Sequence, residues 1–395
     1  MSSETLFFLT AALLPVAAVS GWFFGRRDFA NYRVRRDQHA QIATDYFKGL
    51  NYLLHDRPDK AIEVLVKVLE VESETVETHL ALGNLFRRRG EVDRAIRIHQ
   101  NLVARTTLDV QHRGQALLEL SLDYMRSGLF DRAENLFLEL LELKMFQPQA
   151  LRHLIDIYQQ EQDWDKALEV SARLEAVNGE NLSSERAHFL CEQAQTQLDR
   201  NNRQEALELL ERALAADRKC VRASLLCAGI AIANREYESG IQYLKRVEHQ
   251  DIEFIAEAIG PLVKCYRALD RMDDLRDYLG RLAALRAGVS PVLMMAELTY
   301  EHDGLADAKR YIVQELKIRP TIKGIDRLID YALHGALGES REDLLILKET
   351  TLRLIASKAT YKCGHCGFSG RSIHWQCPGC KRWNSSKPIH GIEGE

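Results

Sequence analysis

The sequence predicts an all-α protein, an array of helical hairpins with an apolar helix at its N-terminal end and a small metal-binding module at the other. Three observations carry this. Small residues recur at a spacing near 34 through the middle of the chain, an uncharged run of 20 residues stands near the start, and two CxxC pairs lie within the last 35 residues. Only eight prolines in 395 residues and 46% hydrophobic content suit long helices burying a large core. A net charge of −4 excludes a generally basic nucleic-acid coat.

The apolar run extends from Thr5 to Phe24. About 20 such residues in a helix cross the hydrocarbon core of a bilayer. Glu4 alone precedes it, while Arg26, Arg27, Arg33, Arg35 and Arg36 follow. By the positive-inside rule this asymmetry keeps everything beyond the run on the cytoplasmic side. A cleaved signal peptide would carry its positive charge ahead of the apolar stretch. Residues 1–25 are therefore expected to be a transmembrane signal anchor, and residues 26–42 a basic juxtamembrane linker. Pro15, Ser20 and Gly21 are tolerated in such a helix, and Gly21 with Gly25 offers a small-xxx-small face for helix contact.

The repeat is clearest in His79-x2-Leu82-Gly83-x2-Phe86-x3-Gly90-x4-Ala95-x3-His99-x2-Leu102. An earlier copy places Gly49, Tyr52, Ala61, Leu65 and Val68 in the same register, and later copies place Leu120, Tyr124, Gly128, Ala133 and Phe137, then Leu154, Tyr158, Ala167 and Leu174. Ala61, Ala95, Ala133, Ala167, Ala206 and Gly240 are separated by 34, 38, 34, 39 and 34 residues. Fainter copies continue through Leu275 and Ala308 to Pro320, where a helix should stop. The pattern resembles the tetratricopeptide repeat, a helix hairpin in which a small residue of the second helix admits a bulky residue of the first. Because one hairpin cannot bury its apolar face, neighbours are expected to stack into a superhelix with a groove. Residues 43–357 would hold eight such units and a degenerate ninth pair from 321, with a non-repeating bundle the alternative for residues 250–357.

The register also assigns helix faces. Tyr46, Leu50, Leu53 and Leu54 of the first unit form an i, i+4, i+7, i+8 apolar stripe toward the groove. It would be covered by the linker, by a second copy of the chain in a homodimer, or by a partner protein; the pattern leaves these open. Arg87 and Arg88, with Glu77 and Asn84, make the second unit's groove face polar and basic. The fourth offers Arg152, Asp156, Gln159 and Gln160, and the sixth Leu225 and Ile232. Mixed grooves of this kind receive extended or helical peptides, whereas charges on repeat helices also serve simply as wetted surface.

No Gly-rich phosphate loop, HExxH, GxSxG or dinucleotide fingerprint occurs. His79 and His99 fall at hairpin packing positions and read as core. Cys191, Cys220, Cys227 and Cys265 lie singly in apolar helical patterns and read as small buried hydrophobes in a reducing compartment. A binding protein is expected, not an enzyme.

Cys363-Gly-His-Cys366 and Cys377-Pro-Gly-Cys380 are separated by ten residues. Four thiolates on two tight turns can surround one soft divalent ion, leaving no open position, so Cys363, Cys366, Cys377 and Cys380 are expected to hold a structural Zn2+ or Fe. Gly364, Gly367 and Gly379 are expected to supply the turns. From Lys358 to Lys387 there are six Lys or Arg and no acid, with Trp375 and Trp383 interleaved. The tryptophans read as the module's own miniature core, and the module as docking on protein or on the preceding repeats in preference to RNA.

Taken along the whole chain, the anchor, the array, and Tyr361-Lys-Cys-Gly-His-Cys-Gly-Phe368 with Cys377-Pro-Gly-Cys380 resemble the lipopolysaccharide assembly protein B family of Gram-negative bacteria. The first knuckle looks like the opening turn of a rubredoxin, but the ten-residue spacer is too short for the usual rubredoxin fold and favours a zinc ribbon. The resemblance implies a tetratricopeptide-repeat superhelix with an N-terminal transmembrane helix and a rubredoxin-like module over residues 358–395. It also implies a non-enzymatic inner-membrane adaptor with a periplasmic N-terminus. Such an adaptor would help the membrane AAA+ protease FtsH degrade the lipid A pathway deacetylase LpxC, restraining lipopolysaccharide synthesis, and a periplasm-facing inner-membrane protein would relieve that restraint. A scaffold assembling synthesis and export proteins is the alternative. In either case the metal module is expected to fix the far end of the superhelix.

Overall fold

A computed structural model of the chain describes Trp22, residues 47–49, 51, 52, 55, 57–71, 76–392, 394 and 395. Apart from Trp22 the expected anchor lies outside these residues, as do Tyr46, Leu50, Leu53 and Leu54. Among the described residues no helix is long and apolar enough to cross a membrane. The chain forms two compact units, residues 1–157 and 158–395.

In the first unit α1 (Pro58–Val71) precedes the hairpin of α2 (Val76–Arg88) with α3 (Val92–Val103) and that of α4 (Val110–Ser127) with α5 (Phe130–Glu142); α6 (Gln147–Glu161) begins here. Leu65, Leu82, Phe86 and Ala95 form one buried cluster, in which fully buried Ala95 lets the Phe86 ring approach. Gly83 is required by a neighbour. A Cβ at this position would stand 2.3 Å from Nε2 of His99. The imidazole cannot retreat, because His99 and Asp123 are both fully buried and Nδ1 lies 2.6 Å from the Asp123 carboxylate. Gly83→Ala is expected to destabilise the chain by about 1–3 kcal/mol through overpacking. A urea midpoint equal to that of the unchanged chain would refute this.

Asp123 is held in turn by Arg87, whose guanidinium donates to Asp123 at 2.8 Å, to Glu119 at 2.6 Å and to Asn84 at 2.7 Å. Arg87 thus cross-links α2 to α4 inside the array, whereas Arg88 is exposed.

The second unit contains α7 (Trp164–Asn178), then the pairs α8 (Ser183–Asp199) with α9 (Arg203–Ala216), α10 (Val221–Ala233) with α11 (Tyr237–Gln250), and α12 (Ile255–Ala268) with α13 (Met272–Ala284). A short 3-10 turn, Ile252–Phe254, joins the last two pairs. The pairs α14 (Ser290–Asp303) with α15 (Leu305–Ile318) and α16 (Ile322–Leu333) with α17 (Glu339–Ser357) follow. Their buried clusters are mostly Ala, Leu, Ile and Val with Phe254, Tyr266 and Tyr278, and Cys191, Cys220, Cys227 and Cys265 are all buried within them. On α17 only Thr351 is buried.

A backbone signature repeats where side chains do not. Five residues before Ala95, Ala133, Ala167, Ala206, Gly240 and Leu275 stand Gly90, Gly128, Gln162, Asn201, Arg235 and Asp270, every one left-handed with φ between +55° and +82°. In each turn the next amide reaches back to a carbonyl five residues earlier, for example Glu91 to Phe86 at 2.9 Å and Arg271 to Tyr266 at 3.0 Å. This is the hydrogen bond that ends a helix in a left-handed cap. Glycine adopts the conformation freely, while other residues pay roughly 1 kcal/mol for it. The later turns therefore keep the geometry after losing the glycine that announces it.

Candidate metal centre and its docking surface

The module that follows α17 is a three-stranded antiparallel sheet, β1 (Tyr361–Cys363), β2 (Ser369–Gly370) and β3 (Ser386–Pro388), in the order β2-β1-β3. Cys363 ends β1, and its amide donates to the Phe368 carbonyl at 2.7 Å, closing the first knuckle. Gly367 supplies the left-handed turn at φ +79°. In the second knuckle that role falls to Lys381 at φ +59°, not to Gly379 as expected, and Gly364 is not left-handed either. Gly379 serves a different purpose: a Cβ there would come within 3.3 Å of the Cys366 sulfur, so its absence lets the two knuckles close.

The four sulfurs of Cys363, Cys366, Cys377 and Cys380 all lie within 4.8 Å of one another. Cys363 and Cys380 are 3.7 Å apart, Cys366 and Cys377 3.6 Å. Tetrahedral thiolates bound at about 2.3 Å stand about 3.8 Å from each other, so the set fits one tetrahedral ion. The backbone N–H of Cys366 and the Ser385 hydroxyl pull the Cys363 thiol down to about 5. Cys366 also receives an amide hydrogen bond, from Phe368, yet burial and the crowded neighbouring sulfurs push its thiol up to about 11. A divalent cation held by these four residues would remove that mutual repulsion and let all four ionise together. Four protein ligands would leave no place for substrate, so an ion held here would serve structure.

Trp375 and Trp383 do not form a core private to the module. The Trp383 ring stacks on His188 at 5.0 Å and meets Trp164 and Phe189 edge-on at 6.3 and 5.9 Å. Its indole N–H donates to Oε1 of Gln159 at 2.7 Å, and the same oxygen accepts from Gln376 at 2.9 Å. Trp375 lies 5.3 Å from Phe254 and joins the cluster of α10 to α14. The Tyr361 hydroxyl donates to Glu257, and Lys387 pairs with Asp251 while sitting 4.5 Å over the Phe254 ring. The module therefore docks on α7, α8, α12 and the C-terminal end of α6, well before the last helices of the array. The reason is chemical. Strands of two and three residues bury little, and large aromatics find more apolar surface on the helices than within the sheet.

Of the groove residues read from the register, Gln159 lies in this docking surface, Arg87 within the array, and Arg88 in solvent. His188 was missed. It is buried beneath Trp383, and burial, reinforced by the nearby charges of Arg222 and Lys387, depresses its imidazole to about 3. Its Nδ1 has no hydrogen-bond partner. A neutral ring is the only form that suits this place. One histidine on a helix carries no sequence signal of a partner found two hundred positions later.

Helical hairpins of this register joined to a four-cysteine ribbon define a tetratricopeptide-repeat protein with a rubredoxin-type metal-binding domain. Family models described as "Tetratricopeptide repeat" match residues 78–114, 118–180 and 191–252, and one described as "Rubredoxin metal binding domain" matches residues 361–388. The chain is 37% identical over 383 residues to "Lipopolysaccharide assembly protein B" of Escherichia coli strain K12, covering 97% of this chain and 98% of the relative. To the protein of the same name from Haemophilus influenzae it is 34% identical over 394 residues, covering 96% and 98%. The chain belongs to the lipopolysaccharide assembly protein B family.

Proposed function

We propose that this chain is a non-catalytic adaptor, anchored in the inner membrane by residues 1–25, that restrains lipopolysaccharide synthesis by presenting the deacetylase LpxC to the protease FtsH. The observation that carries the reading is the family relationship over nearly the whole chain, repeats and metal module included. The physical case is that an anchor confines the repeats beside a membrane protease and raises their effective concentration there. The last helix adds an unclaimed surface: Leu345, Ile346, Leu347 and Leu352 of α17 are 48–63% exposed, the kind of apolar face that marks a protein contact. The cysteine set holds one zinc or iron ion that keeps the module folded on the helices. RNA is a poor partner, because the two module tryptophans that would stack on bases are engaged by the repeats.

Depleting the chain in its own cells and following LpxC after blocking synthesis tests the proposal. The expected result is a markedly longer half-life, restored by the full chain but not by a form lacking residues 1–25 whose repeats remain folded. An unchanged half-life would favour the scaffold reading. Full activity of the anchorless form would overturn the membrane-tethered mechanism.

A further inference from the structure

Beyond the metal module the chain returns to the last repeats, and Glu395 enters a socket there. Its side chain is buried, with Oε2 accepting the Ser290 amide at 3.0 Å from the first turn of α14, and Oε1 accepting from Lys323 of α16 at 2.6 Å. Arg319 donates to the main-chain oxygen of Glu395 at 2.8 Å, and the Ile322 amide to the carbonyl of Ile392 at 2.9 Å. Gly288, at φ +107°, makes the room: a Cβ would stand 3.2 Å from Oε2. Burial opposes ionisation of Glu395, but Lys323 and the Ser290 amide outweigh it and hold the carboxyl below its usual range. A helix N-terminus, a lysine and a glycine thus converge on the side-chain carboxylate, while Arg319 holds the main-chain oxygen of the same residue.

The segment filling this socket is closed on itself by the Gly391 amide donating to the Glu395 main-chain oxygen at 2.9 Å and the Glu395 amide to the Ile389 carbonyl at 2.7 Å, and its outer side chains are exposed. Ile392 is 62% exposed, and His390, also exposed, stands at the edge of the neighbouring cavity. Beside the socket, and sharing Gly288, Arg319 and Thr321 with it, opens a cavity of about 890 Å3 whose apolar wall includes Val292, Met295, Ile312 and Leu316. The tail places no large apolar side chain against that wall.

We propose that the socket is a receptor for acidic peptide segments of partner proteins, filled in cis by the chain's own tail until such a segment displaces it. The ligand class is a short peptide with a carboxylate side chain next to an apolar one: the acid takes the seat of Glu395, and the apolar group enters the cavity. A tethered occupant competes at millimolar effective concentration, so the incoming peptide prevails through the apolar contact that the tail lacks. The origin of the peptide in a partner rests on the adaptor reading; the socket's preference does not, and it is measured on purified protein without reference to LpxC turnover.

The test uses the full metal-loaded chain in detergent and a fluorescent heptapeptide of residues 389–395, followed by anisotropy. Glu395→Lys, which ejects the tail by charge reversal, is expected to bind the peptide at least about ten-fold more tightly than the unchanged chain, because the cis competitor is gone. Adding Lys323→Ala or, independently, Arg319→Gln to Glu395→Lys should abolish that binding. Equal affinity for the unchanged and Glu395→Lys chains would overturn the proposal, as would peptide binding that survives both socket substitutions or no binding to any form.

Discussion

Replacing Cys363 and Cys366 together with serine is expected to remove the metal and release the whole module from the helices. Structural zinc sites contribute about 10–16 kcal/mol of binding free energy, which in small modules is also folding free energy. Here the sheet has strands of only two or three residues, and its two tryptophans are spent outward on the repeats. With two ligands gone, nothing inside the module holds β1 against β3, and the rings that Trp383 and Trp375 cover on α8 and the turn before α12 become wet. Elemental analysis should fall from one metal per chain to none. Tryptophan emission should shift to the red, and protease should cleave near residues 358–360, while helix content stays nearly constant because the repeats have their own core. Unchanged metal content, or metal loss with the emission unmoved, would contradict the coupling.

That coupling shows which parts of the molecule a sequence can display. The metal site was legible because chemistry confines it: four thiols must come from two tight turns, and a CxxC pair writes each turn in adjacent letters. The hairpins were legible for the same local reason, since Ala95 or Ala133 must be small where its partner helix crosses. Copies after the fourth looked degenerate in part because the residue five positions before the small one is no longer glycine but Asn201, Arg235 and Asp270, a change that Gln162 already makes in the fourth, although the backbone turns the same way. Polar residues tolerate that conformation at a modest cost, so the turn survives the loss of its marker. Docking was not legible. Gln159 and Trp383 are 224 positions apart, and nothing in the neighbourhood of either names the other. The same holds for Arg87, which read as a groove charge and proved to be the tie between α2 and α4.

Acidification is expected to undock the module through His188, with the metal still in place at the start of the transition. The docked imidazole titrates at about 3, because burial under Trp383 and the neighbouring Arg222 and Lys387 all disfavour its charge. Exposed, it would titrate near 6.5. The sign follows from where the proton prefers to be. Between these values the undocked state binds a proton that the docked state refuses, so docking is undiminished above about pH 6.5 and weakens as pH falls, by about 1.4 kcal/mol per unit. Around the ring, Arg222 stays paired with Glu192 at 2.7 Å and Lys387 with Asp251, so neither cation is withdrawn to make room for a third. Tryptophan emission of the unchanged chain should therefore move to the red between pH 7.5 and 5. His188→Phe keeps an aromatic ring under Trp383 but has nothing to protonate, and its emission should stay flat over that interval. Acid loss of the metal would act on both chains alike, so only the difference between them reports the histidine. If the two curves coincide, His188 is a passive filler and the docking energy does not depend on its charge.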